Sequence, residues 1–341
     1  MKAFVFTQHH HIEPIVHDVP ALPEEHALIK LSHCGISQMD VDTYLGREQK
    51  VAPPKVLGSE ICGTVIKINS PGTPSELEGV RVAVDPIISC GQCDECRKGK
   101  SNHCENIDIL GCTYDGGFAD YVIVPVKNVY PLPVTGDIEC FTLASPLASA
   151  LHLDSIVHTE KEGRCVILGS RPVDILYGLV LRRRSGIDVI IIDDNPFRLN
   201  IAQSLGLSCI DLSSAGNNTI MDELFFENDT SIDIVVIGSS KIKNSLTLGI
   251  NLVAPRGQIY VTRNLHNNEQ IEPGDIIEKE LIFRGVNLYD KDNFTKSVDD
   301  IASYSENFSP LITHRLPFAG IENGLQIVET VPECMKVILI K

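Results

Sequence analysis

The spacing of hydrophobic residues changes along the chain, and its first part is patterned as a series of short strands. Before about residue 135, apolar or alternating segments are separated by glycine and proline, and they include KAFVF, HALIKLSHC, GTVIKI, RVAVDP and FADYVIVP. Short strands at this spacing are typical of a compact barrel. The sequence therefore predicts a β-barrel-like domain at the beginning of the chain.

A second pattern extends from about residue 150 to residue 285. Continuous apolar runs alternate there with segments long enough to form helices, and the runs are CVILG, DVIIID, DIVVIG, QIYVT and LIFRG. Strands that are buried on both faces and separated by amphipathic helices indicate a parallel sheet with helices on both sides. The last stretch, ending in GIENGLQIVETVPECMKVILIK, holds a helix and a strand that we expect to return to the first domain.

These patterns predict an α/β protein of two domains. We expect residues 1–149 to form the barrel domain, residues 150–285 to form a doubly wound parallel-sheet domain, and residues 286–341 to return to the barrel domain. A length of 341 residues with 43% hydrophobic residues supplies enough apolar material for two cores.

The balance of charge narrows the range of partners. The chain has 29 basic and 45 acidic residues, so its formal net charge is −16 at pH 7. This charge would repel phosphate backbones and anionic lipids, so we expect neither nucleic acid nor a membrane as a partner. The N-terminal segment MKAFVFTQ alternates like a first strand, and no apolar run reaches membrane-spanning length, which predicts a cytoplasmic protein.

Four of the eleven cysteines are closely spaced in the segment SCGQCDECRKGKSNHCEN. Two residues separate Cys90 from Cys93 and Cys93 from Cys96, and Cys104 follows after a short loop. Four thiolates at this spacing can surround a tetrahedral zinc ion, and a site closed by four protein ligands has a structural role. We therefore predict one structural zinc in a lobe spanning residues 90–104. The other cysteines are scattered singly, as reduced core cysteines are.

Further motifs accompany the cysteine lobe along nearly the whole chain. They are CGISQMD at 34–40, VLGSEICGTV at 56–65, DGGFADYVIVP at 115–125, SPLASALH at 145–152 and VIIIDDNPFRLNIAQSLG at 189–206. With these motifs the chain resembles the zinc-containing medium-chain dehydrogenase/reductase family of alcohol, sorbitol and threonine dehydrogenases.

The resemblance implies a GroES-like catalytic barrel, a Rossmann dinucleotide-binding domain, and hydride transfer from a small polyol-like substrate to NAD. It also implies a homo-oligomer. Within the family the chain looks nearest to the polyol enzymes, and it is similar to the aminocyclitol branch of antibiotic biosynthesis, of the 2-deoxy-scyllo-inosamine dehydrogenase kind.

The family's three catalytic zinc ligands, carried over to this chain by motif, all fall on serine. Ser37 replaces the cysteine after CGI, Ser59 replaces the histidine of a GHE motif, and Ser145 replaces the acidic or cysteine residue before Pro-Leu. A serine hydroxyl is a poor zinc ligand because it is neutral and lacks the softer donor of thiolate or imidazole. Met39 also stands where the family has a proton-relaying serine or threonine. Asp40 and Glu60 persist, either as residues that orient the loop or as a residual acid or base.

The expected dinucleotide-binding loop is altered as well. The GxGxxG fingerprint reads GSRPVD from Gly169 to Asp174, so only its first glycine remains. The side chain of Arg171 takes space that a pyrophosphate needs, and Asp174 either repels that anion or itself stabilises the helix N-terminus. Asp193, at the end of the next strand, either accepts hydrogen bonds from the ribose or caps the following helix. The sequence thus predicts impaired dinucleotide binding and, where a nicotinamide cofactor binds, NAD in preference to NADP.

Three functions are consistent with these residues. The first is a divergent dehydrogenase homologue that keeps the structural zinc and has lost zinc-dependent alcohol oxidation. The second is an NAD-dependent polyol or aminocyclitol oxidoreductase that transfers hydride without a catalytic zinc. The third is a binding module in which Ser37, Ser59, Glu60 and Ser145 form a polar pocket for a small polyol. We favour the first, because the serine replacements and the broken glycine loop point to it independently.

Overall fold

The chain folds into two compact units. The first contains Met1–Ala148 and Tyr289–Lys341, and the second contains Ser149–Leu288. Strands dominate the first unit, whereas strands alternate with helices in the second, so the predicted α/β fold class is confirmed. The computed structural model describes residues 1–71, 75–158, 163–213, 231–238, 242, 244–262 and 271–341.

Strands and helices are numbered in chain order. The strands are β1 (Lys2–Gln8), β2 (His11–Val16), β3 (His26–Gly35), β4 (Lys55–Val56), β5 (Glu60–Asn69), β6 (Arg81–Val84), β7 (Ile87–Ile88), β8 (Asp108–Ile109), β9 (Tyr121–Pro125), β10 (Val129–Pro131), β11 (Arg164–Leu168), β12 (Asp188–Asp193), β13 (Ser208–Asp211), β14 (Ile232–Ile237), β15 (Val253–Val261), β16 (Ile282–Gly285), β17 (His314–Pro317) and β18 (Val337–Ile340). The helices are α1 (Gln38–Tyr44), α2 (Asp94–Arg97), α3 (Ala144–Ile156), α4 (Pro172–Val180), α5 (Pro196–Ser204), α6 (Ser245–Leu252), α7 (Pro273–Glu278), α8 (Lys291–Phe308) and α9 (Ile321–Thr330).

A seven-stranded sheet forms the centre of the first unit. Its strand order is β10-β6-β5-β3-β18-β17, and β9 also pairs with β3. A three-stranded sheet in the order β2-β1-β4 and the β7–β8 pair complete the unit. The last strand therefore returns beside β3, because Leu339 pairs with Cys34.

Strand β3 shows how the sequence pattern builds this sheet. Ala27, Ile29 and Leu31 are buried, and Lys30 between them is exposed, so one face of the strand packs into the core. Strand β5 runs antiparallel to β3, with Glu60 opposite Gly35. This register places the first residues of β5 beside the last residues of β3.

A parallel six-stranded sheet forms the second unit. Its strand order is β13-β12-β11-β14-β15-β16, so the chain starts at the centre, builds one edge and then crosses to build the other. This is the order of a doubly wound dinucleotide fold. Strand β12 is buried from Val189 to Asp193, as expected for a strand covered on both faces.

The carboxyl ends of the central strands carry the residues of the predicted nucleotide loop. Gly169 follows β11, Asp193 ends β12, and Gly238 follows β14. The helix predicted after β14 is described as α6, and residues 239–241 and 243 of that segment lie outside the described residues. No helix in the described part of the chain is long and apolar enough to cross a membrane.

Candidate functional site

The four cysteines predicted to bind zinc converge in the first unit. Their sulfur atoms all lie within 4.8 Å of one another. The Sγ atoms of Cys90 and Cys96 are 4.0 Å apart, as are those of Cys93 and Cys104. In a tetrahedral site with zinc–sulfur bonds of about 2.3 Å, sulfur atoms are separated by about 3.8 Å. The four side chains therefore fit one closed zinc site.

Backbone N–H groups favour the thiolate form of Cys90 and Cys93, whereas burial raises the pKa of Cys96 to about 12. The N–H groups of Gln92 and Cys93 point at Cys90 Sγ from 3.5 and 3.4 Å, and this hydrogen bonding lowers the pKa of Cys90 to about 6. Backbone hydrogen bonds also lower the pKa of Cys93. Zinc binds the thiolate, so the local backbone prepares two of the four ligands for the metal. Within the residues that the structure describes, no other group of three or more His, Cys, Asp or Glu residues converges in this way.

Ser37 caps helix α1 and is bonded closely to Asp40. Its Oγ donates to Asp40 Oδ2 over 2.6 Å, and its backbone N–H donates to the same oxygen over 2.8 Å. In return, the N–H of Asp40 lies 3.2 Å from Ser37 Oγ, which completes a capping box. The other carboxylate oxygen of Asp40 accepts a hydrogen bond of 2.8 Å from the N–H of Gly58. Burial raises the pKa of Asp40, and the hydrogen bonds from Ser37 and Gly58 oppose that shift.

Ser59 and Glu60 are buried at the start of β5. Glu60 forms an ion pair with Lys336, and both side chains are only 6% exposed. The ammonium group of Lys336 also donates to the carbonyl oxygen of Ile36 over 2.9 Å. Burial raises the pKa of Glu60, and the charge of Lys336 opposes that shift. The Glu60 carboxylate is therefore balanced by a cation of the protein itself.

Ser145 lies in the first turn of α3 and is partly exposed. Its Oγ is 3.0 Å from the hydroxyl oxygen of Tyr289, which in turn is 3.1 Å from Asp85 Oδ1. Both partners are buried, with 2% exposure for Tyr289 and 1% for Asp85. Burial raises the pKa of Asp85 to about 7. Sequence reasoning missed both partners, although an acidic residue directly after the strand RVAV was an available signal for Asp85.

The fold brings the loop of Ser59 to the beginning of α1 and the turn before Ser145 to strands β3 and β5. The Asp40–Gly58 hydrogen bond holds the loop of Ser59 against the beginning of α1, where Ser37 lies. The turn at residues 140–143, directly before α3, packs against β3 and β5. Ser145 therefore follows a segment that contacts the strands leading to the other serines.

These contacts do not fit a catalytic zinc. The three positions offer neutral hydroxyl groups, and those of Ser37 and Ser145 already lie in hydrogen bonds. Of the two nearby carboxylates, Asp40 is bonded at both oxygens and Glu60 is paired with Lys336. Zinc requires several anionic or imidazole donors, and this set lacks them.

In the second unit, a carboxylate occupies the end of the helix where a dinucleotide phosphate would bind. Gly169 has a φ of 139°, a conformation that favours glycine. Asp174 is fully buried in the first turn of α4, and its Oδ2 accepts a hydrogen bond of 2.9 Å from the N–H of Arg171. The same carboxylate lies against Gly238, where any Cβ would overlap Asp174 Oδ1. The site at the positive end of α4 is thus filled by a negative charge of the chain itself.

Asp193 is also engaged by its own loop. It is 3% exposed, and its Oδ1 accepts hydrogen bonds from the N–H groups of Asp194 and Asn195 over 2.8 and 3.1 Å. The cap of α5 is Asn195, whose side chain accepts from the N–H of Arg198, so the alternative of a cap by Asp193 is wrong. Burial raises the pKa of Asp193 to about 6.

The second unit therefore keeps the sheet of a dinucleotide fold with a loop that departs from the glycine fingerprint. One glycine of the fingerprint remains at Gly169, and the carboxylate of Asp174 replaces the open N-terminus of α4. The N–H of Arg171, a donor that such a loop ordinarily offers to a phosphate group, is already bonded to Asp174.

Comparison with known proteins agrees with this architecture. Residues 23–134 match the alcohol dehydrogenase GroES-like domain family. L-Galactonate-5-dehydrogenase of Escherichia coli K12 is 27% identical over 89% of this chain and 88% of its own length. L-Threonine 3-dehydrogenase of Caldanaerobacter subterraneus is 26% identical over 94% of this chain and 93% of its own length. Among solved structures, an alcohol dehydrogenase of Escherichia coli CFT073 in complex with NADH has a TM-score of 0.89 at 24% identity, covering 100% of this chain and 99% of that chain.

The structural likeness establishes the fold, and the named relatives extend over most of both chains. The GroES-like barrel and the Rossmann-type sheet predicted from the sequence are confirmed. The similarity to the aminocyclitol branch stays a prediction. With the barrel, the parallel sheet and these relatives taken together, the chain is similar to the zinc-containing medium-chain dehydrogenases, and its residues 23–134 match their GroES-like domain.

Proposed function

We propose that this chain is a divergent member of the zinc-containing medium-chain dehydrogenase/reductase family that holds one structural zinc, lacks a catalytic zinc, and has lost zinc-dependent alcohol oxidation. The observation that carries the proposal is the replacement of three metal-ligand positions by serine, with Ser37 and Ser145 bonded to Asp40 and Tyr289. A catalytic zinc stabilises the negative charge that develops on an alcohol oxygen. Without that ion, the remaining hydroxyl groups offer no comparable stabilisation.

The surrounding charges support the same proposal. A cation that bound at this place would have to separate Glu60 from Lys336 or Asp40 from Ser37. Each separation leaves a buried group without its partner, which costs several kcal/mol for an ion pair. The arrangement is therefore stable without a metal.

We extend the proposal to the cofactor and the ligand. NAD binding is impaired because Asp174 occupies the N-terminus of α4. Two relatives are named as dehydrogenases of L-galactonate and L-threonine, which are small hydroxylated molecules. We propose that the polar residues Ser37, Ser59, Glu60 and Ser145 bind a ligand of this kind, a small polyol.

The zinc content of the purified protein tests the central claim. We expect plasma mass spectrometry to find one zinc per chain, and we expect no oxidation of polyols by NAD that depends on added zinc. Two zinc ions per chain would contradict the proposal. Micromolar binding of NADH would favour the alternative of hydride transfer without a catalytic zinc.

A restored ligand set tests the placement of the three positions. The triple variant Ser37→Cys, Ser59→His, Ser145→Glu supplies a thiolate, an imidazole and a carboxylate, and we expect it to bind a second zinc. The matched control is Ser37→Ala, Ser59→Ala, Ser145→Ala, which should keep a single zinc. If the restored variant also keeps a single zinc, the positions are assigned wrongly.

A further inference from the structure

A short chain of hydrogen bonds connects the partly exposed Ser145 with the buried Asp85. Tyr289 lies between them, with its hydroxyl oxygen 3.1 Å from Asp85 Oδ1 and 3.0 Å from Ser145 Oγ. A tyrosine hydroxyl has a single hydrogen. Tyr289 therefore donates to one neighbour and accepts a hydrogen bond from the other.

The protonation of Asp85 fixes the direction of this chain. An ionised carboxylate only accepts, so Tyr289 donates to Asp85, Ser145 donates to Tyr289, and the lone pairs of Ser145 Oγ face outward. A proton that reaches Asp85 through Tyr289 is delivered to Oδ1 and reverses both hydrogen bonds. Asp85 then donates to Tyr289, Tyr289 donates to Ser145, and the hydrogen of Ser145 faces outward. The N–H of Ile87 also donates to Asp85 Oδ1, over 3.1 Å. The second lone pair of that oxygen accepts this hydrogen bond both when Asp85 is ionised and when it is protonated.

We propose that Ser145, Tyr289 and Asp85 form a ligand-binding switch, in which Ser145 accepts a hydrogen bond from a ligand when Asp85 is ionised and donates one when Asp85 is protonated. A hydroxyl group of a polyol fits both states, because it can donate or accept. A carbonyl oxygen only accepts, so the corresponding ketone fits the protonated state alone. The ligand class rests on the polyol binding proposed above, whereas the switch is a property of the free protein.

The surroundings of Asp85 place its titration in the neutral range. Burial raises its pKa to about 7, and the hydrogen bonds from Ile87 and Tyr289 and the charge of Lys291 oppose that shift. Lys291 begins α8 and is half-buried, with its pKa lowered by burial and by the charge of Lys127. Tyr130 on β10 faces the same carboxyl, and burial raises its pKa to about 12. Asp85 is therefore placed to change its protonation near pH 7.

Aromatic packing holds the middle member of the chain in place. The ring of Tyr289 stacks on Phe294 with 6.0 Å between centroids, and Phe294 contacts Tyr130 at 4.8 Å. Tyr289→Phe keeps this packing and removes the hydroxyl group alone. It is the variant that separates the switch from the stability of the core.

Carboxyl carbon NMR on the free protein tests the switch without any ligand. The resonance of Asp85 is identified by its loss in Asp85→Asn. We expect titration near pH 7, a rise of about one unit in Tyr289→Phe because the ionised form loses a hydrogen bond, and a smaller rise in Ser145→Ala. Tyr114→Phe, at an exposed tyrosine, is the control and should change nothing. Titration of Asp85 near its ordinary value, or no response to Tyr289→Phe, would overturn the switch.

Glycerol and dihydroxyacetone test the ligand class, because they differ only in the hydroxyl or carbonyl group at the central carbon. The protonated fraction of a group with a pKa near 7 falls about tenfold between pH 6 and pH 8, so NMR titration should show dihydroxyacetone binding weaken about tenfold. Glycerol binding should change less than about twofold, and Tyr289→Phe should remove the difference between the two probes. Equal pH dependence for both probes would overturn the assignment. If the titration of Asp85 responds to Tyr289→Phe in the free protein but neither probe binds, the proposed polyol binding is contradicted, whereas the proposed switch is supported.

Discussion

The cysteine lobe and the serine site lie in the same unit of the molecule, and they differ in what their side chains leave available. In the lobe, four sulfur atoms converge within 4.8 Å. In the serine site, defined by Ser37, Ser59 and Ser145 with the neighbouring Asp40 and Glu60, the hydroxyl groups of Ser37 and Ser145 are bonded to Asp40 and Tyr289, and Glu60 is paired with Lys336. Under the proposed function, the difference teaches that a metal that holds the fold and a metal that serves chemistry are separable, because internal hydrogen bonds and ion pairs take the place of the second.

Loss of one ligand in the cysteine lobe should have the largest effect. Cys93→Ser removes one of four thiolates, and we expect loss of zinc and a fall in unfolding free energy that approaches the roughly 10 kcal/mol that structural zinc can contribute. Zinc analysis and thermal unfolding measure the two effects. Cys209→Ser, at a half-buried cysteine of the second unit, is the control. Full zinc content in Cys93→Ser would show that the lobe does not depend on this ligand.

Loss of the cation in the serine site should have the next largest effect. Lys336→Met leaves Glu60 buried without its ion pair, and we expect about 3–5 kcal/mol of destabilisation at pH 7 in urea unfolding. The double variant Glu60→Gln, Lys336→Met removes both charges and should recover most of that loss. A lysine variant as stable as the parent would mean that Glu60 is uncharged, and the comparison between the two regions would fail.

Asp85 makes the stability of the first unit depend on pH. Its pKa is about 7 in the folded protein and about 3.9 in an unfolded chain, so the folded state binds the proton more tightly. The stability gained from this proton is present at low pH and is lost as the pH rises from about 4 to about 7, by about 4 kcal/mol. Urea unfolding measures the free energy of unfolding at pH 5 and at pH 8, and the difference between the two values should be smaller in Asp85→Asn than in the parent. The same difference in both proteins would contradict the raised pKa of Asp85.

The smallest expected effect extends the comparison to the second unit. Asp174→Asn removes the charge at the N-terminus of α4, and we expect NADH to bind about tenfold more tightly, a change of about 1.4 kcal/mol. Fluorescence titration with NADH measures it. Asp188→Asn, at an exposed position on β12, is the matched control. Unchanged affinity would show that the missing glycines alone limit the cofactor.

The sequence predicts those parts of the fold whose hydrophobic pattern is complete within one segment. Strand β12 is a continuous apolar run, and β3 alternates over its buried half. The pattern does not predict β13, an edge strand of four residues in which only Ile210 is buried. Strand β2 also escapes prediction, because five of its six residues are exposed.

The candidate site, like the fold, can be predicted only where its residues lie within one short segment. The cysteine spacing and the serine replacements are visible within short motifs. Lys336 and Ile36 are 300 residues apart in the chain, and Tyr289 and Ser145 are 144 apart, so the contacts that neutralise and orient the site exist only after folding. No local pattern around Lys336 or Tyr289 distinguishes it from an ordinary residue near a strand or a helix.

The contact between Asp174 and Gly238 restricts the order in which these two positions can mutate. A side chain at position 238 would overlap the carboxylate of Asp174, so residue 238 is held as glycine for as long as the aspartate remains. A lineage that regained a glycine-rich loop would have to shorten residue 174 first. A lineage that shortened residue 174 and then filled position 238 would close the way back to an aspartate at position 174. The history of the cofactor site therefore depends on which of two neighbouring residues mutates first.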